Sequence, residues 1–318
     1  MEQREKKPGD RFDGYWLRDE APALGQFMAY LMPNRADNEA HINIDIDCRP
    51  LDAFLAKKNE GRTEDKYTYF HIFLAAMVKC FVLRPRMNRF ISGNRLYMRD
   101  HISVSFVVKK KFEDRAEEGL AYKKYTEEDT IDTLHASIME EIHQCRREDV
   151  LDNSTDMMTK LLKLPRWLLH IIVNILFALD RKGKVPYDLI KADPNYSSIF
   201  LTNLGSIGLD SGYHHLNNWG TNSFFGVIGK KHLAPEWHED GTCTVRPVIS
   251  LGLTLDERIG DGFYYAGTVR LLNKILENPE ILEQPFSTPS NTEKEVIIYG
   301  NHRKAPLAFQ HGGGSRKP

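Results

Sequence analysis

The chain lacks the features that identify several large classes of protein. Its 318 residues include four cysteines, none of them in a C-x-x-C pair, so neither a disulfide framework nor a structural zinc site is expected. Lys plus Arg (43) almost equals Asp plus Glu (44), which leaves no basic footprint for nucleic acid. Scattered thiols favour a reducing compartment, and the first residues contain no apolar signal core, so we expect a cytoplasmic protein.

The sequence also has none of the common phosphate-binding or nucleophile motifs. We find no G-x-G-x-x-G loop, no G-x-x-x-x-G-K-[ST] loop and no G-x-S-x-G elbow. His214 and His215 form an adjacent pair that would face opposite sides of an extended segment, without the ligand pattern of a metal site, so no metal is predicted. Hydrophobic residues make up 41% and charged residues 27% of the chain, as in ordinary globular domains.

No apolar run reaches the roughly 20 residues that are needed to span a bilayer. The longest candidate is WLLHIIVNILFAL at 167–179. Polar positions in and around it fall near one stripe of a helix: Lys163, Arg166, His170, Asn174 and Arg181. For 163–181 we favour a helix that packs its broad apolar face on its own protein or on a sister subunit. A helix lying on a membrane surface is the alternative.

Turn and helix signals predict one mixed α/β domain, of the α+β kind, rather than a regular βαβ alternation. The predicted elements are a strand at 41–48, a helix opening at Pro50, a helix stopped by Pro85, a hairpin at Gly93-Asn94, an acidic-capped helix in TEEDTIDTLHASIMEEIHQCRRE, strands in YSSIFLTNLG, NSFFGVIGK and VRPVISLGLTL, and a closing helix ending near Pro279.

Two segments carry clustered polar residues at strand ends. SLGLTLDERIGDGFYYAG at 250–267 is an alternating strand that runs into charges and then an Asp-Gly pair, and FLTNLGSIG at 200–208 is a strand that meets a glycine-rich turn. Together they resemble the signature segments of the catalytic domain of 2-oxo acid dehydrogenase acyltransferases, which share a fold with chloramphenicol acetyltransferase. The matching positions are Thr202, Asn203, Leu204, Gly205, Asp256, Arg258, Asp261 and Gly262.

The resemblance covers most of residues 25–285 and implies an architecture. It implies a mixed sheet flanked by helices, a homotrimer, and an active site between subunits whose base and hydroxyl come from different chains. We divide the chain into an N-terminal arm (1–24), an acyltransferase-like catalytic domain (25–300) and a dispensable, disordered tail (301–318). No lipoyl-bearing domain precedes the catalytic part, so the resemblance implies the catalytic core alone.

The family's catalytic histidine would fall at position 257, where this sequence has Glu257. In the family that imidazole takes the proton from a thiol, usually that of coenzyme A. The hydroxyl that matches Thr202 stabilises the oxyanion, and the aspartate that matches Asp261 orients the loop. The resemblance therefore implies an acyltransferase that uses acyl-coenzyme A and no metal, with Glu257 as the substituted base and Asp256, Arg258, Asn203, Gly205 and Gly262 as supporting residues.

Exchanging histidine for glutamate changes the energetics of proton transfer. A free thiol has a pKa of about 8.5, histidine about 6.5 and glutamate about 4.3. Transfer to an unperturbed glutamate is uphill by about four pKa units, roughly 5.7 kcal/mol, against about two for histidine. Desolvation between two subunits would remove most of this difference if it raised a glutamate to about 6 or 7.

Each site residue also has a local structural interpretation. Thr202 is suited to capping its turn, Asp261-Gly262 to starting a helix, and Glu257 to a solvated or Arg258-paired position in a protein that kept the fold and lost the chemistry. A catalytically inactive trimeric scaffold or partner-binding protein is therefore the competing hypothesis. Within the enzyme hypothesis, His214 or His215 is the candidate substitute base.

Overall fold

A computed structural model of the chain describes residues 4–109, 118–147, 161–191 and 193–289. Over these ranges the strands are β1 (Gly14–Trp16), β2 (Glu39–Asp47), β3 (Arg89–Ser92), β4 (Arg95–Arg99), β5 (Ile102–Lys109), β6 (Glu118–Tyr125), β7 (Ile199–Asn203), β8 (Phe224–Trp237) and β9 (Cys243–Asp256). The α-helices are α1 (Ala23–Leu31), α2 (Cys48–Lys58), α3 (Tyr69–Leu83), α4 (Ile131–Arg147), α5 (Arg166–Arg181), α6 (Tyr187–Ile190) and α7 (Gly262–Glu277).

The strands form two sheets. The larger sheet is mixed and has the order β2-β9-β8-β7-β5-β6, in which β7 is parallel to both β5 and β8 and the other pairs are antiparallel. The smaller sheet has the order β1-β4-β3. The predicted fold class, a mixed sheet flanked by helices, is confirmed. β1 lies within the predicted arm 1–24, and the predicted tail 301–318 lies outside the described residues.

The main core lies between one face of the large sheet and helices α2, α3, α4 and α7. Helix α3 is almost wholly buried and packs on α7, α4 and β7, because its apolar residues surround the helix axis instead of forming one stripe. It ends at Leu83, two residues before Pro85, as predicted from the missing N–H of proline. This arrangement covers one face of the sheet.

Local turn chemistry produces several of the predicted boundaries. Gly93 and Asn94 both have positive φ, which is the backbone geometry of a two-residue hairpin between β3 and β4. Helix α2 begins at Cys48, two residues before Pro50, and is capped by Asp47, whose side chain accepts from the Arg49 N–H. The closing helix α7 ends at Glu277, close to Pro279 as predicted.

The second face of the sheet is crossed by the connection between β7 and β8. Here Phe225, Val227 and Leu216 form a small separate core. The connection lies so close that a Cβ on Gly252 would sit 2.1 Å from the carbonyl oxygen of Gly212. Glycine in β9 therefore lets this connection lie directly on the sheet.

Candidate functional site

The charged cluster at the end of β9 is organised around a buried ion pair. Asp256 is the last residue of the strand and Arg258 lies in the 3-10 turn that follows it. The Arg258 guanidinium donates to both carboxylate oxygens, with 2.8 Å from Nε to Oδ1 and 2.6 Å from Nη2 to Oδ2. Both side chains are at most 1% exposed. A buried pair of this geometry satisfies both charges, so it belongs to the fold.

The same pair holds a distant part of the chain. Arg258 Nη1 donates to the carbonyl oxygens of Met32 (2.8 Å) and Pro33 (3.2 Å), just after α1. Nε of Arg35 lies 3.8 Å from Asp256 Oδ2, and burial lowers the pKa of Arg35 to about 10 although Asp256 opposes this shift. Arg35 was not identified from the sequence, because it lies in an irregular segment whose contact with position 256 exists only in the folded chain.

Glu257 is the exposed residue of this cluster. It makes no hydrogen bond or ion pair with any residue that the structure describes, and Arg258 turns inward to Asp256 instead of pairing with it. The neighbouring Tyr265 is buried and donates its hydroxyl to the Asp256 carbonyl oxygen (2.7 Å). Burial, followed by the charges of Asp256 and Glu257, raises the pKa of Tyr265. In a single chain, Glu257 therefore faces water.

Asp261 occupies the N-cap position of α7. Its side chain accepts from the Tyr264 N–H at 2.8 Å, which satisfies one of the free donors of the first turn. The residue is exposed. Gly262 follows as the first helical residue, and a Cβ built there would meet nothing within 4 Å. The local geometry thus gives Asp261 a structural role and does not require glycine at 262.

The second signature segment forms the end of β7 and the turn after it. Asn203 caps this 3-10 turn by accepting from the Ser206 N–H at 3.2 Å. Gly205 is required, since a Cβ there would lie 2.4 Å from the Gly229 carbonyl oxygen. Thr202 is half-buried, and no hydrogen bond of its hydroxyl to another described residue is found. The turn is therefore fixed by its neighbours, and the Thr202 hydroxyl is left available.

His214 and His215 lie on the same sheet face as Thr202. The His214 ring stacks on Phe225 with centroids 4.3 Å apart, and the His215 ring stacks on His214 at 4.6 Å. The two rings do not face opposite sides, as an extended segment would require, because the segment is irregular. Phe225 pairs with Phe200, two residues before Thr202 on the same face. This register places His214 level with Phe200, two residues before Thr202 on the same face.

The strand register separates Thr202 from Glu257 within one chain. Thr202 pairs with Val227, and Val227 pairs with Gly252, so Thr202 is two strands away from β9 and level with Gly252. Glu257 is five residues further along. With strands about 4.8 Å apart and a rise of about 3.3 Å per residue, the two Cα atoms are roughly 19 Å apart. One chain alone cannot bring these two side chains into contact.

A polar cavity of about 450 Å³ lies behind Arg258. Its walls include the side chains of Arg35, Arg181, Arg258, Asn34 and Asn218. Arg181 is exposed and, among the described residues, no ion pair of its side chain is found. No group of three or more histidine, cysteine, aspartate or glutamate side chains in the described ranges is arranged to hold a metal ion. Likewise, none of the described helices is long and apolar enough to cross a bilayer.

A family model matches the part of the chain that holds both signature segments. Residues 181–283, which include both signature segments, match the sequence profile of the family "2-oxoacid dehydrogenases acyltransferase (catalytic domain)". The resemblance drawn from the two motifs is thereby confirmed. A search of curated proteins finds no match.

Three solved structures share the fold. A dihydrolipoamide acetyltransferase of Azotobacter vinelandii is 15% identical with a TM-score of 0.54, covering 83% of this chain and 93% of that chain. The cubic core of a pyruvate dehydrogenase multienzyme complex is 15% identical with a TM-score of 0.52, covering the same two shares. A chloramphenicol acetyltransferase is 15% identical with a TM-score of 0.50, covering 85% and 99%. The chain therefore has the fold of these acyltransferases.

Proposed function

We propose that this protein transfers an acyl group between a thioester such as acyl-coenzyme A and an acceptor, at a site formed between the subunits of a homotrimer. The observation that carries the proposal is the separation of the two signature segments. Thr202 and Glu257 are roughly 19 Å apart in one chain, yet both are accessible at the ends of their strands. A neighbouring copy that presents its β9 end to the end of β7 would complete the site.

An exposed apolar face supports association between copies. Beyond Lys231 the β8 and β9 strands continue as a two-stranded ribbon. One face of this ribbon carries Leu233, Trp237 and Val245, each at least 67% exposed. Its other face is tied to the body by Arg49–Glu236 and Arg246–Asp47 ion pairs. A two-stranded ribbon with a bare apolar face is stabilised by covering that face, and a second subunit is the partner that a trimer supplies.

In the proposed reaction, Glu257 of one subunit accepts the thiol proton of coenzyme A. The thiolate sulfur attacks the carbonyl carbon of an acyl group that is bonded to the acceptor. The bond from this carbon to the acceptor's oxygen, nitrogen or sulfur breaks, and that atom takes up the proton. In the reverse direction the acyl group passes from coenzyme A to the acceptor. Water that a second subunit displaces from Glu257 can no longer stabilise the carboxylate, which makes it a stronger base. The Thr202 hydroxyl donates to the developing oxyanion, a role that commonly contributes a factor of about 10²–10³ in rate.

His214 is the second candidate for the base. It lies over the same sheet face as Thr202, and it is exposed although its ring stacks on Phe225 and on His215. An imidazole is better matched to a thiol than a carboxylate is. Asp261 is proposed to orient the Glu257 turn through its N-cap bond.

A scaffold without catalytic activity is the alternative, and one observation favours it. The buried residues that maintain the corner, Asp256 and Arg258, match the family motif, whereas the exposed position between them does not. A trimer that binds partners through retained architecture would keep this pattern.

Turnover of a panel of acyl-coenzyme A donors, followed by release of free thiol, tests the proposal. We expect Glu257→Gln and Thr202→Val to abolish transfer with unchanged melting temperatures, and Glu257→His to preserve or raise it. Unchanged transfer in Glu257→Gln but loss in His214→Gln would assign the base to His214. Absence of transfer in the wild type and in Glu257→His would favour the scaffold.

A further inference from the structure

Helix α5 carries an apolar stripe that the protein leaves uncovered. Trp167, Ile171 and Ile175 follow one another at i, i+4 and i+8, which places them on one side of the helix. Their exposed fractions are 66%, 48% and 53%. We expected the broad apolar face to pack on its own protein or on a sister subunit. The chain itself leaves this stripe uncovered, and packing on a sister subunit stays a prediction.

The opposite side of α5 is fixed to the body, so the helix cannot turn the stripe inward. Phe177 contacts the Trp219 ring with centroids 5.5 Å apart. At the end of the helix, the buried Asp180 accepts from the Tyr196 hydroxyl at 2.7 Å, and its carbonyl oxygen accepts from the Arg11 guanidinium. These contacts hold the helix in one orientation with its stripe facing outward.

The exposed charges along residues 161–187 are all of one sign. Between Leu161 and Tyr187 the only acidic residue is Asp180, which is buried. The cationic side chains of this segment are all exposed, and they are Lys163, Arg166, Arg181, Lys182 and Lys184. The whole chain, by contrast, has a net charge of -1. An exposed apolar stripe with basic side chains beside it is complementary to a surface that has an apolar interior and anionic groups on its outside.

We infer that α5 is a docking surface for an anionic phospholipid bilayer, on which the helix lies parallel to the plane. Trp167, Ile171 and Ile175 enter the boundary between headgroups and acyl chains, and the basic side chains contact lipid phosphates. Tryptophan is one of the two residue types that are enriched at that boundary. The helix has 16 residues, fewer than the roughly 20 that cross a bilayer.

A second copy of the chain fits this surface less well. Two copies paired through the same stripe by a two-fold axis would run antiparallel or parallel, depending on the direction of the axis. Either arrangement places basic side chains beside basic side chains, because Lys163 and Arg166 then lie next to the Arg181 end or next to their own counterparts, with no exposed carboxylate of the segment to compensate. Like charges brought together in this way oppose association.

Vesicle flotation of the full chain tests the inference. We expect wild-type protein to float with vesicles of phosphatidylcholine and phosphatidylglycerol, and not with phosphatidylcholine alone. Trp167→Ser with Ile171→Ser should weaken partition about tenfold or more, and so should Lys163→Glu with Arg166→Glu. The matched control is Leu24→Ser with Phe27→Ser on α1, which removes equally exposed apolar side chains (73% and 57%) and should leave partition unchanged.

Sedimentation without vesicles, together with a melting curve for each variant, completes the test. The charge-reversed variant keeps the apolar stripe, so it reports on lipid binding even where the serine variant is unstable. Failure of wild-type protein to float with anionic vesicles would overturn the inference. So would equal partition of all variants, or loss of self-association in the Trp167→Ser variant, which would assign the stripe to contact between copies.

Discussion

Glu257 and its two neighbours in the chain have opposite environments. Asp256 and Arg258 are buried and bonded to each other, and Arg258 also bonds backbone carbonyls near residue 32. Glu257 is exposed and has no bond within the described part of the chain. The comparison shows that the corner's stability and its proposed chemistry reside in different residues. A substitution at the exposed position 257 is therefore expected to cost the fold little, whereas one at 256 or 258 is expected to cost it much.

The end of β7 shows the same division. Gly205 is fixed by the backbone at Gly229, and Asn203 caps its turn, while the Thr202 hydroxyl is available. Supporting residues here are determined by packing within the chain. The residues proposed for the chemistry, Thr202 and Glu257, make no side-chain hydrogen bond with another described residue.

The largest expected effect is on the free energy of unfolding, and it compares the buried Asp256 with the exposed Glu257. Replacing Asp256 by Asn leaves the Arg258 guanidinium buried without its counter-charge, and breaking such a pair costs about 3–5 kcal/mol of unfolding free energy. The matched change Glu257→Gln, one residue away, should stay within about 0.5 kcal/mol. Urea unfolding of both variants measures the difference, and equal losses would refute the division between the two positions.

A second effect concerns buried and exposed histidines. Burial, followed by the nearby His135, lowers the pKa of His71 to about 3, and burial also lowers that of His135. The folded state therefore binds fewer protons than the unfolded state below about pH 6.5, and stability falls as the pH falls. We expect a loss of roughly 2 kcal/mol or more between about pH 6.5 and 4.5.

Denaturant unfolding at several pH values checks this expectation. His71→Gln, which keeps an acceptor for the Thr68 N–H, should flatten the pH dependence. His214→Gln replaces an exposed ring and is the control that should not change the slope. An unchanged slope in His71→Gln would show that carboxylates elsewhere dominate the acid response.

The smallest effect separates the cap at Asp261 from a catalytic role. Asp261→Ala removes the acceptor for the Tyr264 N–H and should cost about 1 kcal/mol, whereas Asp261→Asn keeps an acceptor and should cost a few tenths. If Asp261 is only a cap, transfer activity should follow stability in both variants. Full stability with lost activity in Asp261→Asn would instead require its charge in the reaction.

The sequence was sufficient for the local parts of the fold. The stop of α3 before Pro85, the Gly93-Asn94 turn and the end of α7 follow from backbone chemistry within a few residues. The strand order could not be read in this way, since β7 pairs in parallel with β5 and β8 across long connections. Pairing of that kind is determined by tertiary packing.

The same limit applies to the candidate site, where local patterns could be predicted from the sequence and long-range contacts could not. The two signature segments could be located because their residues are adjacent in the chain. The role of Arg35, the inward turn of Arg258 and the stacking of His214 on Phe225 depend on contacts over long sequence separations. The distance between Thr202 and Glu257 depends on strand register, which no local pattern encodes.

Complementation between two inactive variants tests the central claim most directly. Thr202→Val and Glu257→Gln chains are co-expressed, and transfer from acyl-coenzyme A is measured for the mixed oligomers and for each variant alone. If one chain supplies Thr202 and its neighbour Glu257, random mixing restores both residues at about a quarter of the interfaces, so activity should return to about a quarter of the wild-type value. Inactive mixed oligomers, formed from chains that are separately stable and beside an active wild type, would contradict a site shared between subunits.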